Sequence, residues 1–350
     1  MVLLKGNEAI AEAAIRSGCT QYYGYPITPQ NEVIEYMAKR MPESGGVCIQ
    51  AESEIGAINM VLGAAAAGAR VMTSSSSPGI SLKTECISYL AGSDLPCVIM
   101  NMQRGGPGLG GIQPAQSDYY QATKALGHGD MRLIVLAPNS VQEAMELTAL
   151  AFDLADKYRT PVIILADGAL GQMMEPVDFD KVNWSKNSEK EWAATGHGGR
   201  RGNNIINSLY LQPEDLEKTV LERYERVYKK IAEDEVRFEE IDTENAEIVI
   251  VAYGISARIA KRAFESLKKA GVKAGFFRPV TLNPFPSARL NKIADSAGKF
   301  LVTELNMGQI VDDVKLAIDC RKPVGFFGRT GGVLSTPDEI YDAAMGFLGK

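Results

Sequence analysis

Residues 22–32, Tyr-Tyr-Gly-Tyr-Pro-Ile-Thr-Pro-Gln-Asn-Glu, set two prolines three positions apart directly after an aromatic run. Proline fits poorly inside a central strand or a helix, because it lacks an N–H and fixes its own φ. Pro26 is therefore expected to close a strand and Pro29 to open a helix, with Thr28 as its N-cap. Such a turn is stiff, and it leaves one hydroxyl at the mouth of a sheet. Three other stretches carry groups capable of chemistry. Glu52 and Glu54 follow the apolar run Val47–Gln50. Four serines, Ser74 to Ser77, precede Pro78 and Gly79. Residues 104–118, RGGPGLGGIQPAQSD, place a single arginine at the head of a glycine-rich run.

Each stretch has a plain structural reading as well. Thr28 could serve only as a cap, and Glu54 only as a first-turn acid favoured by the helix dipole. The neighbours of Glu54 argue for more. Gly56, Ala57, Gly63 and Ala64–Ala67 are all small, so this helix is expected to pack closely and be buried. A carboxylate in such a place is costly unless paired, and a carboxyl so placed suits proton transfer near neutral pH. The serine run has no histidine near it in sequence, and Pro78-Gly79 reads as a turn, which argues against a serine nucleophile. The glycine loop lacks the Lys-Ser/Thr ending of a phosphate loop and the spacing of a dinucleotide fingerprint. One arginine on such a loop suits a lid or a carboxylate clamp.

Composition narrows the options. A chain of 350 residues, 45% hydrophobic and 23% charged, is an ordinary globular sequence with room for two domains. Its net charge of −6 gives no basic footprint for nucleic acid. No apolar run is long enough to span a membrane, and the N-terminus does not read as a secretion signal, so a cytoplasmic location is expected. Cys19, Cys48, Cys86, Cys97 and Cys320 are scattered without a C-x-x-C pair, which argues against an iron–sulfur cluster or structural zinc on this chain. The two histidines, His128 and His197, lie in glycine-rich context, so no His-based triad or metal site is expected. Chemistry must rest on carboxylates, hydroxyls, arginines or a cofactor.

The elements that position these groups follow from periodicity. Residues 1–175 alternate helical stripes with continuous apolar runs such as PCVIMNMQ and PVIILAD, the pattern of a parallel sheet covered on both faces. Ser140-x-x-Glu143 marks a capping box between two of these strands. Residues 176–245 form a polar insertion and connector ending in a charged, exposed helix. Residues 246–350 resume the alternation as a smaller α/β domain. Ligands in such sheets collect beyond the carboxyl ends of the strands, where all four stretches fall.

Taken together, GYPITPQNE, ESEIGA, RGGPGLGGIQPAQSDYYQ, FRPVTLNPFP and ELNMGQ resemble the alpha subunit of 2-oxoacid:ferredoxin oxidoreductases almost end to end. The loop at 104–118 resembles the branched-chain (2-oxoisovalerate) branch, whereas the 2-oxoglutarate enzymes usually carry a Ser-Thr-Gly version. The resemblance implies a thiamine diphosphate enzyme with a pyrimidine-binding domain and a transketolase-C-terminal-like domain on this chain. It implies that a beta subunit carries the diphosphate and Mg²⁺ site and an iron–sulfur cluster, and that gamma and ferredoxin-like delta chains often complete the complex. Glu54 then matches the glutamate that bonds the aminopyrimidine ring. Thr28, within a cofactor-facing turn of Tyr25, Pro26 and Ile27, matches a threonine beside the reacting carbon, and Ser77 and Gly79 fall on the same side. Arg104 matches the arginine that receives the 2-oxoacid carboxylate. The implied reaction is oxidative decarboxylation, with electrons passing to ferredoxin and the acyl group to coenzyme A. Ala166-Asp167-Gly168 with Asn203-Asn204 loosely matches the Mg²⁺-diphosphate signature of thiamine enzymes, but lacks its first glycine, so the chain reads as lacking that half. A transketolase-like transferase subunit, a relative acting on 2-oxoglutarate, pyruvate or an aryl 2-oxoacid, and a non-catalytic scaffold remain open at this point.

Overall fold

The computed structural model describes residues 1–184, 189–197 and 202–350, so parts of the polar stretch 179–204 lie outside it. The strands are β1 (Val2–Lys5), β2 (Gln21–Gly24), β3 (Val47–Gln50), β4 (Val71–Ser75), β5 (Cys97–Gln103), β6 (Ile134–Leu136) and β7 (Pro161–Asp167). They continue with β8 (Met174–Val177), β9 (Phe238–Ile241), β10 (Ile248–Val251), β11 (Ala274–Pro279), β12 (Thr281–Asn283), β13 (Lys299–Glu304) and β14 (Val324–Gly328). The first sheet runs β12-β6-β7-β5-β4-β2-β3 and the second β14-β13-β10-β11-β9, with β1 and β8 paired apart. Both sheets are parallel except at one edge each, where β12 joins β6 and β9 joins β11 antiparallel.

Those two edge strands exchange neighbourhoods. β9, from the connector region, completes the second sheet, and β12, just after the Phe-Arg-Pro strand β11, crosses back to the first. Backbone groups on a strand need partners, and each sheet edge supplies them. The helix Pro337–Leu348, which the alternation pattern did not single out, closes the second unit over Ile340 and Ala344.

Successive residues of a strand face opposite sides, and the core follows that rule. On β5, Ile99 faces a core with Ile58, Ile87 and Ile163, while Val98 and Met100 face another with Ile10, Met37 and Phe152. Strands β4, β5 and β7 are buried along their whole length, which is why they read as unbroken apolar runs. The first of these cores continues into the second unit through Val251, Phe277, Phe300 and Val302. Each such side chain removed from water contributes roughly 1.5–3 kcal/mol before entropy is counted. The two units thus share one apolar interior, with the carboxyl ends of β2 to β5 and β7 left to hold loops. As expected from its capping box, Ser140 caps the helix Val141–Tyr158, accepting from the Glu143 N–H at 3.1 Å.

Candidate active site

The helix Glu54–Ala66 starts one residue after its cap, Ser53, whose hydroxyl accepts from the Gly56 N–H at 3.1 Å. Glu54 is therefore the first residue of the helix, and only 7% of it is exposed. Its carboxyl takes no hydrogen bond from the described residues. The carboxyl lies against Gly79: a Cβ there would fall 2.6 Å from Glu54 Oε1 and 2.1 Å from Ser75 Oγ. A glycine is thus required for the approach. Pro78 and Gly79 are not a turn, as their sequence suggests, but the first turn of the helix Ser77–Gly92. A proline is tolerated there because its missing N–H would have had no helical partner. The helix Glu54–Ala66 is likewise not buried all round. Its buried face carries Glu54, Ala57, Ile58, Val61, Ala64 and Ala65, while Ile55 is 51% exposed.

Thr28 does not cap a helix. The Gln30 N–H closes on the Ile27 carbonyl at 3.1 Å, and this extra turn delays the helix to Asn31–Glu43, leaving Pro29 outside it. The Thr28 carbonyl instead accepts from Arg104 Nη1 at 2.9 Å, and Arg104 Nη2 donates to the Leu109 carbonyl at 3.2 Å. Arg104 is buried, and its Nε–H has no partner among the described residues. Ser77 braces this arginine from below. Its hydroxyl donates to Asp118 Oδ2 at 2.6 Å and accepts from the Arg104 backbone N–H at 3.0 Å. Asn101 completes the support, bonding the same Asp118 oxygen at 2.9 Å and the Ser77 N–H at 3.1 Å. Burial pushes the Asp118 carboxyl above the usual aspartate range, against the Ser77 and Asn101 bonds.

The structure thus unites Thr28, Arg104 and Ser77 in one network, and Glu54 with Gly79 in a second. The helix start Ser77–Gly79 joins the two. Tyr25, Pro26 and Ile27 sit on the same turn as Thr28, and Pro26 is exposed. Sequence reading missed the support beneath them. Gln30 is buried, and its Oε1 accepts from Ser74 Oγ at 2.5 Å, which in turn contacts the Tyr22 hydroxyl at 2.6 Å. Asn101 and Gln103 stand as polar residues inside the apolar run of β5, and that was the available signal. Lys83, the lone cation on the inward face of its helix, was another.

A third layer lies where the carboxyl edges of the two sheets meet. Gln116 donates to the Tyr253 carbonyl at 2.8 Å, and its side-chain oxygen accepts from Ser256 Oγ at 2.7 Å and the Leu305 N–H at 3.1 Å. Glu304 accepts from the N–H groups of Gln309, Ile310 and Val311, yet burial still raises its pKa. Asp167 is occupied in the same way. It caps the helix Gly168–Gln172 through the Ala169 and Leu170 N–H groups, and burial pushes it up to about 6. Asn204, the other half of the loose diphosphate match, bonds the Ala193 carbonyl at 3.0 Å.

These groups fit the pyrimidine side of thiamine diphosphate. A carboxyl on a buried residue, without a partner among the described residues, can meet a ring nitrogen, and Ser75 and Ser76 carry buried hydroxyls that likewise lack partners among them. Residues 12–243 match the family described as pyruvate flavodoxin/ferredoxin oxidoreductase, thiamine diphosphate-binding. Residues 246–340 match pyruvate:ferredoxin oxidoreductase core domain II. The ketoisovalerate oxidoreductase subunit VorB of Methanothermobacter marburgensis is 49% identical, over 95% of this chain and 94% of its own length. The 2-oxoglutarate synthase subunit KorA of Methanocaldococcus jannaschii is 37% identical, over 98% of this chain and 99% of its own. Among solved structures, 2-oxoglutarate:ferredoxin oxidoreductase from Magnetococcus marinus, with 2-oxoglutarate, coenzyme A and succinyl-CoA bound, superposes with a TM-score of 0.88 at 27% identity. The match covers 99% of this chain but only 65% of that one. The chain belongs to the thiamine diphosphate-dependent 2-oxoacid:ferredoxin oxidoreductases.

Proposed function

We propose that this chain is the alpha subunit of a branched-chain 2-oxoacid:ferredoxin oxidoreductase. In this reading it decarboxylates a substrate such as 2-oxoisovalerate oxidatively, passes the electrons to ferredoxin and the acyl group to coenzyme A. A beta subunit supplies the diphosphate and Mg²⁺ site with an iron–sulfur cluster, and gamma and ferredoxin-like delta chains complete the assembly. The higher identity to a ketoisovalerate enzyme than to 2-oxoglutarate enzymes supports the branched-chain choice.

One observation carries the reading: Glu54 is buried, its carboxyl takes no hydrogen bond among the described residues, and it lies against Gly79. Thiamine diphosphate, when bound, supplies an acidic carbon and an electron sink that no side chain offers. Glu54 would hold a proton at the pyrimidine ring nitrogen, and the small residues around it keep water from competing. On this reading the Thr28 hydroxyl would face the bound cofactor, and the turn that carries it is fixed through the Thr28 carbonyl by Arg104. Arg104 brings a guanidinium charge to the Thr28 turn with N–H donors beyond the two it uses, which suits an anionic ligand, and the 2-oxoacid carboxylate is the one assigned here.

The test is Glu54→Gln in the complete complex. Shape is kept, but the proton exchange is lost, so proton–deuterium exchange at the cofactor's C2 should fall by roughly 100- to 10,000-fold. Wild-type exchange would reduce Glu54 to a helix-start acid. Mass spectrometry of the copurifying chains, and rates with 2-oxoisovalerate against 2-oxoglutarate, check the partner and substrate assignments separately.

A further inference from the structure

The helix Ser77–Gly92 carries a buried cation that the reaction just described does not use. Lys83 is fully buried and forms no ion pair among the described residues. A buried ammonium without a counter-charge is strongly disfavoured, so its presence calls for a reason. Its Nζ is fixed from two sides, donating to Thr73 Oγ1 at 2.6 Å and toward the Ser74 carbonyl at 3.4 Å. Both acceptors sit on β4, next to Ser75. Lys83 is also one helical turn beyond Gly79, on the same face of the helix Ser77–Gly92. Gly79 is where the Glu54 carboxyl and Ser75 Oγ converge. Lys83 and Glu54 thus meet the same two elements, the strand β4 and the first turns of the helix Ser77–Gly92.

We propose that Lys83 is a positioning residue for Glu54, supplying the buried positive charge that holds the carboxylate at the cofactor's pyrimidine. The inference rests on the reading of Glu54 given above. Electrostatics support the geometry. Burial pulls Lys83 down to about 7, and the charge of Glu54 is the largest influence opposing that fall. The other titratable groups nearby offer no competing anion. Cys97 and Cys86 are held neutral, because burial pushes both thiols up. Tyr22, reached through Ser74, is likewise pushed up by burial. Asp118 is bound to Ser77 and Asn101 and feels Arg104 instead. Glu85, on the same helix, faces outward.

The experiment has two arms. In the isolated chain, lysine labelled at Cε is followed by NMR against pH. Lys83 should titrate near pH 7 in the wild type and lower, by roughly one pH unit, in Glu54→Gln, where the favourable charge is gone. An identical midpoint in both proteins overturns the pairing, and this arm needs neither cofactor nor a Lys83 variant. In the complete complex, Lys83→Met should move the acid limb of C2 proton exchange to higher pH while thiamine diphosphate still binds. A uniform fall with an unmoved limb would show that Lys83 only fills space, and would also overturn the proposal. The two readings fail differently. Wild-type exchange in Glu54→Gln would remove the proposed function, whereas collapse there with an unchanged Lys83 titration would remove only Lys83.

Discussion

Arg104 donates to the carbonyls of Thr28 and Leu109 with one N–H from each terminal nitrogen, and its Nε–H makes no bond among the described residues. Its planar fork allows this, since five N–H donors leave in fixed directions from one charge. Arg104→Lys keeps the charge and loses the fork. The KM for the 2-oxoacid is expected to rise about tenfold or more, the worth of one charge-assisted hydrogen bond, while the Kd for thiamine diphosphate changes less. Steady-state kinetics beside cofactor titration separate the two, and an unchanged KM would remove Arg104 from the substrate's path. Part of any loss will come through Thr28, whose backbone the arginine holds. The sequence suggested a charge at this place, but not that its guanidinium also fixes the Thr28 turn, because the bond joins residues 76 apart.

At the scale of elements, the first turn of the helix Ser77–Gly92 is the part that tolerates least change. Gly79→Ala would bring a methyl within 2.6 Å of Glu54 Oε1 and 2.1 Å of Ser75 Oγ. Both are side-chain atoms that can swing aside, so the fold should survive at a cost of about 1–3 kcal/mol. Glu54 would be displaced, and a displacement near 1 Å at a reacting group lowers activity about 100-fold. Adding Ser75→Ala relieves one collision and not the other. The double variant should regain thermal stability without regaining C2 exchange, and recovery of both would show that Glu54 does not lean on Gly79. The strands and helices of both sheets were legible from apolar runs and helical spacing, because burial on both faces writes itself into composition. The start of this helix was misread as a turn because proline and glycine mark turns and helix starts alike. The delayed start at Asn31 was misread for a related reason, since the closing bond from Gln30 to Ile27 leaves no trace in residue type. Strands β9 and β12 could not be placed at all, because pairing across the two sheets depends on tertiary position and not on local pattern.

The whole molecule joins two sheets at their carboxyl edges, and two expectations belong to that scale. The first concerns cysteine. Cys19, Cys86 and Cys97 are buried, and burial pushes Cys19 up to about 12 and Cys86 up to about 11, away from the thiolate form that iron requires. The isolated chain, purified without oxygen, should therefore show no visible iron–sulfur absorbance. A stoichiometric cluster on this chain alone would overturn the division of labour between subunits. The second concerns Asp167, where the joint stores a titration. Burial raises its pKa from 3.8 to about 6, despite N–H bonds from Ala169 and Leu170. A carboxyl raised on folding favours the folded state when protonated. Its contribution is complete below about pH 3.8 and is lost as pH rises through about 6. Asparagine can still accept from Ala169 and Leu170 but has no proton to lose. The stability of Asp167→Asn relative to wild type should therefore climb between about pH 4 and pH 7 and then level off. The climb should be on the order of 3 kcal/mol, since the folded and unfolded pKa values differ by about two and a tenfold change in a proton equilibrium is worth about 1.36 kcal/mol. Urea unfolding of both proteins across that range measures the difference directly. A difference that stays flat would mean that Asp167 titrates normally, and that the joint between the sheets is wetter than its packing indicates.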